Sequence, residues 1–307
     1  MHILMVGSGG VGGYFGARLQ AAGRQVTFVA RGGHLAAMRD HGLLIESPRG
    51  DLHLREVKVV DEPAGAGTAD LVLIAVKLGD TAAVIESLPP CLGADTTIVS
   101  LQNGIDAEGM LIEAFGRNRV MGGVTHISAA IPSPGTVRQV GRFAKIQIGE
   151  LDGSRSERLE RLTKELTVDG MDFIATDSIA LAIWEKFIFL ATMSACTATS
   201  RCAIGLLLEQ SESRAWIAEL IAEAAAVARA ENVEVKDGFE ASVLANMEKL
   251  PRAMIASMAH DLDAGKPLEL DWLSGAVVRL GLAHGIDTPA HRHAVAALAP
   301  HRAGRGA

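Results

Sequence analysis

The chain has 307 residues, enough for about two domains at roughly 150 residues each. A composition of 49% hydrophobic and 21% charged residues excludes a disordered chain, and a formal net charge of −7 argues against a nucleic-acid backbone as the main partner. Three scattered cysteines, Cys91, Cys196 and Cys202, form no Cys-x-x-Cys pair, which excludes a disulfide scaffold and fits a reduced, cytoplasmic chain.

The N-terminal segment has no basic region before its short apolar run, so it reads as a strand rather than a leader. His2–Val6 predicts a buried strand, Val11–Ala22 a helix closed by Gly23, and Gln25–Ala30 a second strand. Leu71–Val76 and Thr96–Leu101 are further continuous apolar runs, as expected of strands covered on both faces. Helical patterns at Thr81–Leu88 and Asp106–Phe115 separate or follow them. This alternation predicts parallel strands with crossover helices, an α/β doubly wound sheet. Near Gly122 the pattern changes. Val124–Ile131, Thr136–Val140 and Lys145–Gly149 read as three shorter strands with a turn at Pro132–Gly135, followed by an amphipathic helix at Arg155–Leu166 and a last strand at Met171–Ala175.

From Asp177 onward the pattern is helical. Asp177 or Ser178 caps a long helix carrying Trp184 to Met193, and Ser211 or Ser213 starts another that ends near Glu231. Further helices are predicted at Asp237–Lys249, Ala253–Leu262, Pro267–His284 and Ala290–Ala299, with Pro267 in a first helical turn. The domains are therefore expected at 1–175 and 176–307, the second all-α, with a frayed tail at Arg302–Ala307. The charge-free stretch Phe187–Ser200 is too short to span a bilayer, so no membrane partner is expected. The Ala-rich helices can pack within the subunit or against a second copy, which leaves a homodimer as the assembly considered.

Gly7-Ser8-Gly9-Gly10-Val11-Gly12 is a G-x-G-x-x-G that follows a strand and opens a helix. Gly7 permits the tight turn, Gly9 lets backbone approach a pyrophosphate, and Gly12 allows close packing of helix on strand. The second strand runs into Arg31, where NAD-binding sheets usually carry a carboxylate; a guanidinium there clamps a 2′-phosphate, which favours NADP(H). Lys77 follows a buried strand directly, and so lies where ligands bind in open α/β sheets. Asn103, after another strand, either bonds a ribose or substrate or caps the helix that follows. Lys186 interrupts an otherwise apolar helix, where desolvation would lower its pKa toward the range of proton transfer; the alternatives are snorkelling to water or pairing with an acid. Ser257 and Glu269 lie on consecutive helical patterns, Glu269 in a first turn. The histidines, among them His260, His291 and His293, have no metal-binding spacing and read as structural, so no metal is expected.

Together with Ala30-Arg31, Ala75-Val-Lys77, Leu101-Gln-Asn-Gly104, Trp184-Glu-Lys186, Ser257-Met258 and Leu268-Glu-Leu-Asp271, the glycine motif resembles the ketopantoate reductase (2-dehydropantoate 2-reductase) family over nearly the whole chain. The resemblance implies an N-terminal Rossmann-like domain and a C-terminal all-α domain like that of 6-phosphogluconate dehydrogenase. It implies NADPH-dependent reduction of a 2-oxo acid, a small-molecule substrate, to the 2-hydroxy acid. By that likeness Gly7–Gly12, Arg31 and Lys77 bind the cofactor, and Asn103 lies near the nicotinamide ribose and the substrate. Lys186 is the general acid and contacts substrate, Ser257 bonds substrate, and Glu269 engages Lys186, substrate or the cofactor ribose. The family pattern places asparagines four and eight residues after the lysine, where this chain has Leu190 and Ser194, and at two further positions, here near Ile204 and at Met254. Lys186, Leu190 and Ser194 share a helix face, so Ser194 still faces substrate beside a more apolar wall. Two other readings stay open: a reductase of a different, more apolar 2-oxo acid, and an NADPH-binding sensor without catalysis.

Overall fold

Every residue of His2–Val6 is buried, and this segment becomes β1, the strand from which the first unit is built. The computed structural model describes residues 1–305, and the chain divides into two units, Met1–Ile179 and Ala180–Ala307. In the first unit β1 is followed by α1 (Gly10–Ala21), β2 (Gln25–Val29), α2 (Gly32–His41), β3 (Leu43–Glu46), β4 (Leu52–Leu54), β5 (Lys58–Val60), β6 (Ala69–Ile74) and α3 (Thr81–Ser87). Then come β7 (Leu92–Ser100), α4 (Ala107–Phe115), β8 (Val120–Ser133), β9 (Thr136–Gly149), α5 (Glu157–Leu166) and β10 (Asp172–Ala175).

All ten strands join one sheet in the order β4-β3-β9-β8-β7-β6-β1-β2-β5, with β10 added on β9. The run β8-β7-β6-β1-β2-β5 is parallel throughout, with Ile3 opposite Val26 on one side and Leu71 on the other. Between β1 and β6 the winding reverses direction. Side chains alternate between the sheet's faces. Ile3, Met5, Leu71 and Leu73 pack with Tyr14 and Phe15 of α1 and with Leu159, Leu162 and Leu166 of α5. Leu4, Val6, Val72 and Ile74 pack on the other face with Val84 of α3 and Leu111 of α4. Helix cover on both faces is the reason these strands read as continuous apolar runs.

Past β7 the expectation needs correcting. The two predicted strands Thr136–Val140 and Lys145–Gly149 are one strand, β9, which pairs antiparallel with β8 from Gly122 opposite Gly149 to Ser133 opposite Thr136. The pairing jumps from Ile127–Ala144 to Ser128–Val140, so residues 141–143 bulge out with Gly141 at φ +74°. This bulge broke the apolar alternation that marks a strand. β9 is shared further along its outer edge: β3 pairs with its first half and β10 with its second, both parallel. Helix α2 and strands β3, β4 and β5 also went unread, being short and only partly buried.

The second unit holds α6 (Ile179–Ser200), α7 (Ile204–Glu209), α8 (Ser211–Ala230), α9 (Phe239–Glu248), α10 (Ser257–Asp263), α11 (Ser274–Ala283) and α12 (Pro289–Leu298), and no strand among its described residues. By length and mean hydropathy α6 could cross a bilayer, but most of its apolar window is buried inside the protein, as in a core helix. His291 is fully buried, its Nε2 on the Leu220 carbonyl and its Nδ1 on Ser274 Oγ, and burial lowers its pKa to about 4. Glu223 of α8 accepts the N–H groups of Ala290 and His291 and so caps α12.

Two further expectations change here. The predicted helix Pro267–His284 is split: Leu268 donates its N–H to the Arg302 carbonyl, a short 3-10 turn covers Leu270–Trp272, and α11 starts only at Ser274, after Leu273 with φ −114° and ψ −98°. Pro267 therefore stands in an irregular lead-in and Glu269, at φ −80° and ψ 29°, is the N-cap of that 3-10 turn, so neither is in the first turn of an α-helix. The tail is tied down through Arg305, whose N–H bonds the Gly265 carbonyl, and Arg302 pairs with Asp271 at 3.3 Å; Gly306 and Ala307 lie outside the described residues.

A Cβ on Gly12 would lie 2.1 Å from the Gly7 carbonyl oxygen, a backbone atom with no freedom to move aside. Gly12→Ala is expected to cost ~1–3 kcal/mol of stability, measured as a fall in the urea midpoint of the first unit.

Candidate active site

The carboxyl ends of β1, β2, β6 and β7 bring the first set of predicted residues to one edge of the sheet. Gly7 ends β1 at φ +93°, and a Cβ there would strike Val76 at 2.7 Å, so the turn toward α1 requires glycine. Gly12 lets α1 sit directly on the turn. A Cβ on Gly9, by contrast, would meet nothing within 4 Å. The loop thus presents bare backbone to open space beside the first, unbonded N–H groups of α1, which fits the pyrophosphate of a dinucleotide. Ser8 is buried, with its N–H at 3.1 Å and its Oγ at 2.9 Å from the Val29 carbonyl, so it anchors the loop to the end of β2. Gly10 packs against the Ala129 carbonyl of β8, and Val11 is half-buried against the sheet's core.

Arg31 is exposed at the N-cap of α2, directly beyond β2. Lys77 is exposed just after β6, where the Ala75 N–H bonds the Val6 carbonyl across the reversal point of the winding. Asn103 is half-buried beyond β7. The N-cap of α4 is Asp106, so Asn103 does not cap that helix. Its loop is braced from below: Gln102 donates to Thr81 Oγ1 at 2.8 Å and accepts from Ser100 Oγ at 3.1 Å. Glu108, in the first turn of α4, accepts the Gly123 N–H and so ties that helix to β8, and burial pushes its carboxyl up to about 7. These supports went unread in the sequence, because a glutamine beside a strand and a glutamate in a first helical turn are both ordinary.

The second set lies in the helical unit. Lys186 is half-buried on α6; burial pulls its ammonium down to about 8, and the Glu269 carboxylate works against that shift by favouring the charged form. Leu190 and Ser194 follow on the same face, Leu190 half-buried and Ser194 buried. Thr197, eleven residues past Lys186, falls on that face again. It accepts the Ala256 N–H at 3.1 Å, which holds the start of α10, with exposed Ser257, against α6. Ile204 is buried and its N–H bonds the Met254 carbonyl at 3.0 Å, so the two apolar replacements are neighbours, Met254 being partly exposed. Thr197 was also missed; a threonine in a helix gives no signal of its partner.

The parallel order β5-β2-β1-β6-β7-β8, which is 3-2-1-4-5-6 when only these six strands are counted, with a glycine turn and a helix N-terminus at the reversal point, defines an α/β protein of the dinucleotide-binding class. Comparison with known proteins narrows the class. Residues 3–153 match the family model described as ketopantoate reductase PanE/ApbA, and residues 178–302 match its C-terminal counterpart. YkpB of Bacillus subtilis, named as an uncharacterized oxidoreductase, is 30% identical over 287 residues, spanning 92% of this chain and 94% of that one. A 2-dehydropantoate 2-reductase of Halobacterium salinarum is 30% identical over 297 residues, 95% of this chain and 96% of that one. The crystal structure of a 2-dehydropantoate 2-reductase from Geobacter metallireducens superposes with a TM-score of 0.91 at 29% identity, covering 98% of this chain and 99% of that one. The chain belongs to the ketopantoate reductase family.

If Glu269 supports the charge on Lys186, Glu269→Gln should lower the lysine's pKa below its value of about 8. Titration of the Nζ signal by lysine-labelled NMR reads that shift directly; an unchanged midpoint would show that the two groups do not interact.

Proposed function

We propose that the protein reduces a 2-oxo acid to the 2-hydroxy acid with NADPH, ketopantoate being the reference substrate, and that Lys186 is the general acid. The observation that carries the reading is the Lys186–Glu269 pair: an ammonium with its pKa drawn to about 8 and a carboxylate that keeps it charged. NADPH supplies the hydride. The Gly7–Gly12 loop and the N-terminus of α1 would hold its pyrophosphate, Arg31 and Lys77 its adenosine-phosphate end, and Asn103 the ribose near the reacting carbon. Lys186 Nζ donates a proton to the carbonyl oxygen as charge develops there, and its own charge stabilises that oxygen beforehand. Glu269 favours the charged form of the lysine, which keeps it protonated at neutral pH. Ser257 and Ser194 bond the substrate.

Support for NADPH over NADH comes from Arg31 at the end of β2, where no carboxylate stands to repel a 2′-phosphate. The positions where the resemblance places asparagines favour a second reading of the substrate. Leu190, on the face of α6 that carries Lys186, and the neighbouring pair Ile204 and Met254 offer no hydrogen bonds from their side chains, so a bulkier, more apolar 2-oxo acid suits the protein better than a hydroxylated one. A cytoplasmic homodimer completes the proposal, supported by three unpaired cysteines and by Leu206 and Leu282 left exposed on α7 and α11.

Loss of NADPH absorbance with ketopantoate and a panel of apolar 2-oxo acids tests the reaction and ranks the substrates. NADPH binding without turnover of any acid would replace the reductase by a sensor. Lys186→Ala is expected to lower turnover by about 10²–10⁴-fold, and wild-type turnover in that variant removes the general-acid role. Arg31→Asp is expected to raise the KM for NADPH at least about tenfold more than that for NADH; equal changes refute the 2′-phosphate contact.

A further inference from the structure

One side chain joins three segments of the first unit that are far apart in sequence. His34 stands in the first turn of α2, half-buried, three residues after Arg31. Its Nδ1 lies 3.0 Å from the Gly135 nitrogen, at the tip of the β8–β9 hairpin. A backbone N–H can only donate, so Nδ1 is the acceptor and the ring proton sits on Nε2. Nε2 lies 2.9 Å from the Ser8 carbonyl and donates to it. Burial favours this neutral form by lowering the ring's pKa.

At Ser8 the N–H and Oγ bond the end of β2, and the carbonyl bonds His34. The glycine loop is thus pinned from both sides. The hairpin tip is seated on the same helix: Gly135 adopts φ +79°, and a Cβ there would lie 3.1 Å from Ala37. Arg31 caps this helix, and the Leu35 N–H bonds its carbonyl at 3.3 Å. The imidazole therefore holds the start of α2 against the loop.

We propose that His34 is a positioning residue of the cofactor site: it locks the Gly7–Gly12 loop and the Arg31 end of α2 into one frame, so that a pyrophosphate and a 2′-phosphate are gripped together. This rests on the reading of the site as an NADPH site. The hydrogen bonds fix a donor and an acceptor at one position. A residue that supplies both at the end of a side chain of similar reach keeps part of the frame; an aliphatic residue keeps none.

The test compares wild type, His34→Ala and His34→Gln as full-length protein, with KM and kcat for NADPH and NADH and a thermal unfolding midpoint for each. His34→Ala is expected to raise the NADPH KM about tenfold, the loss of one or two hydrogen bonds. Its kcat at saturating cofactor should change by less than about twofold, because the reacting groups are untouched. The NADH KM should rise less, since NADH makes no use of Arg31. His34→Gln should recover part of the NADPH affinity. An unchanged NADPH KM in His34→Ala overturns the proposal. So does an equal rise for both cofactors, which would leave Arg31 outside the frame, or a Gln variant as impaired as Ala, which points to packing alone. Should the wild type itself not bind NADPH, the cofactor reading fails first, and that outcome is distinct from all of these.

Discussion

The first unit depends on one close approach: the backbone of Gly12 rests against the carbonyl of Gly7, with no room for a Cβ between them. This contact lets α1 begin immediately above the end of β1. It aims the helix's unbonded N–H groups at the reversal point of the sheet and leaves Gly9 facing open space. Everything else at that edge is arranged around it. Ser8 is buried and tied to β2, Ala75 bonds back to Val6, and Arg31, Lys77 and Asn103 arrive at the ends of the neighbouring strands. The geometry comes from a missing side chain, so it needs no strong interaction to maintain it, only a sheet rigid enough to hold two backbones together.

The helical unit meets a different constraint, that of charge in an apolar place. A lysine on the buried helix α6 loses hydration, and its proton is held less tightly. Without a counter-charge the group would drift further toward neutrality. Glu269 opposes that drift without abolishing it, which leaves the lysine able both to hold and to release a proton near neutral pH.

Much of the architecture was legible because burial on both faces makes a strand apolar at every position, as in His2–Val6 and Leu71–Ile74. Lys186 was legible for the opposite reason, a charge where the pattern demanded none. The hairpin was misread because its bulge at 141–143 breaks the alternation. The break before α11 was invisible because it is imposed from afar, by the bond from Leu268 to Arg302. His34 left no trace for the same reason: its partners, Ser8 and Gly135, lie 26 and 101 residues away. Local pattern reports what a residue is surrounded by on average, and long-range hydrogen bonds to backbone atoms carry no residue-type signature.

The bond between Leu268 and Arg302 ties the C-terminal segment to the strip that carries Glu269. Leu268 immediately precedes Glu269, and two more contacts, Arg305 to Gly265 and Arg302 to Asp271, fasten the tail to the same strip. Residues 302–305 are therefore a splint for the segment that carries Glu269, whose charge acts on Lys186. A change at Arg302 or Arg305 therefore reaches the surroundings of Lys186 through the backbone that carries Glu269.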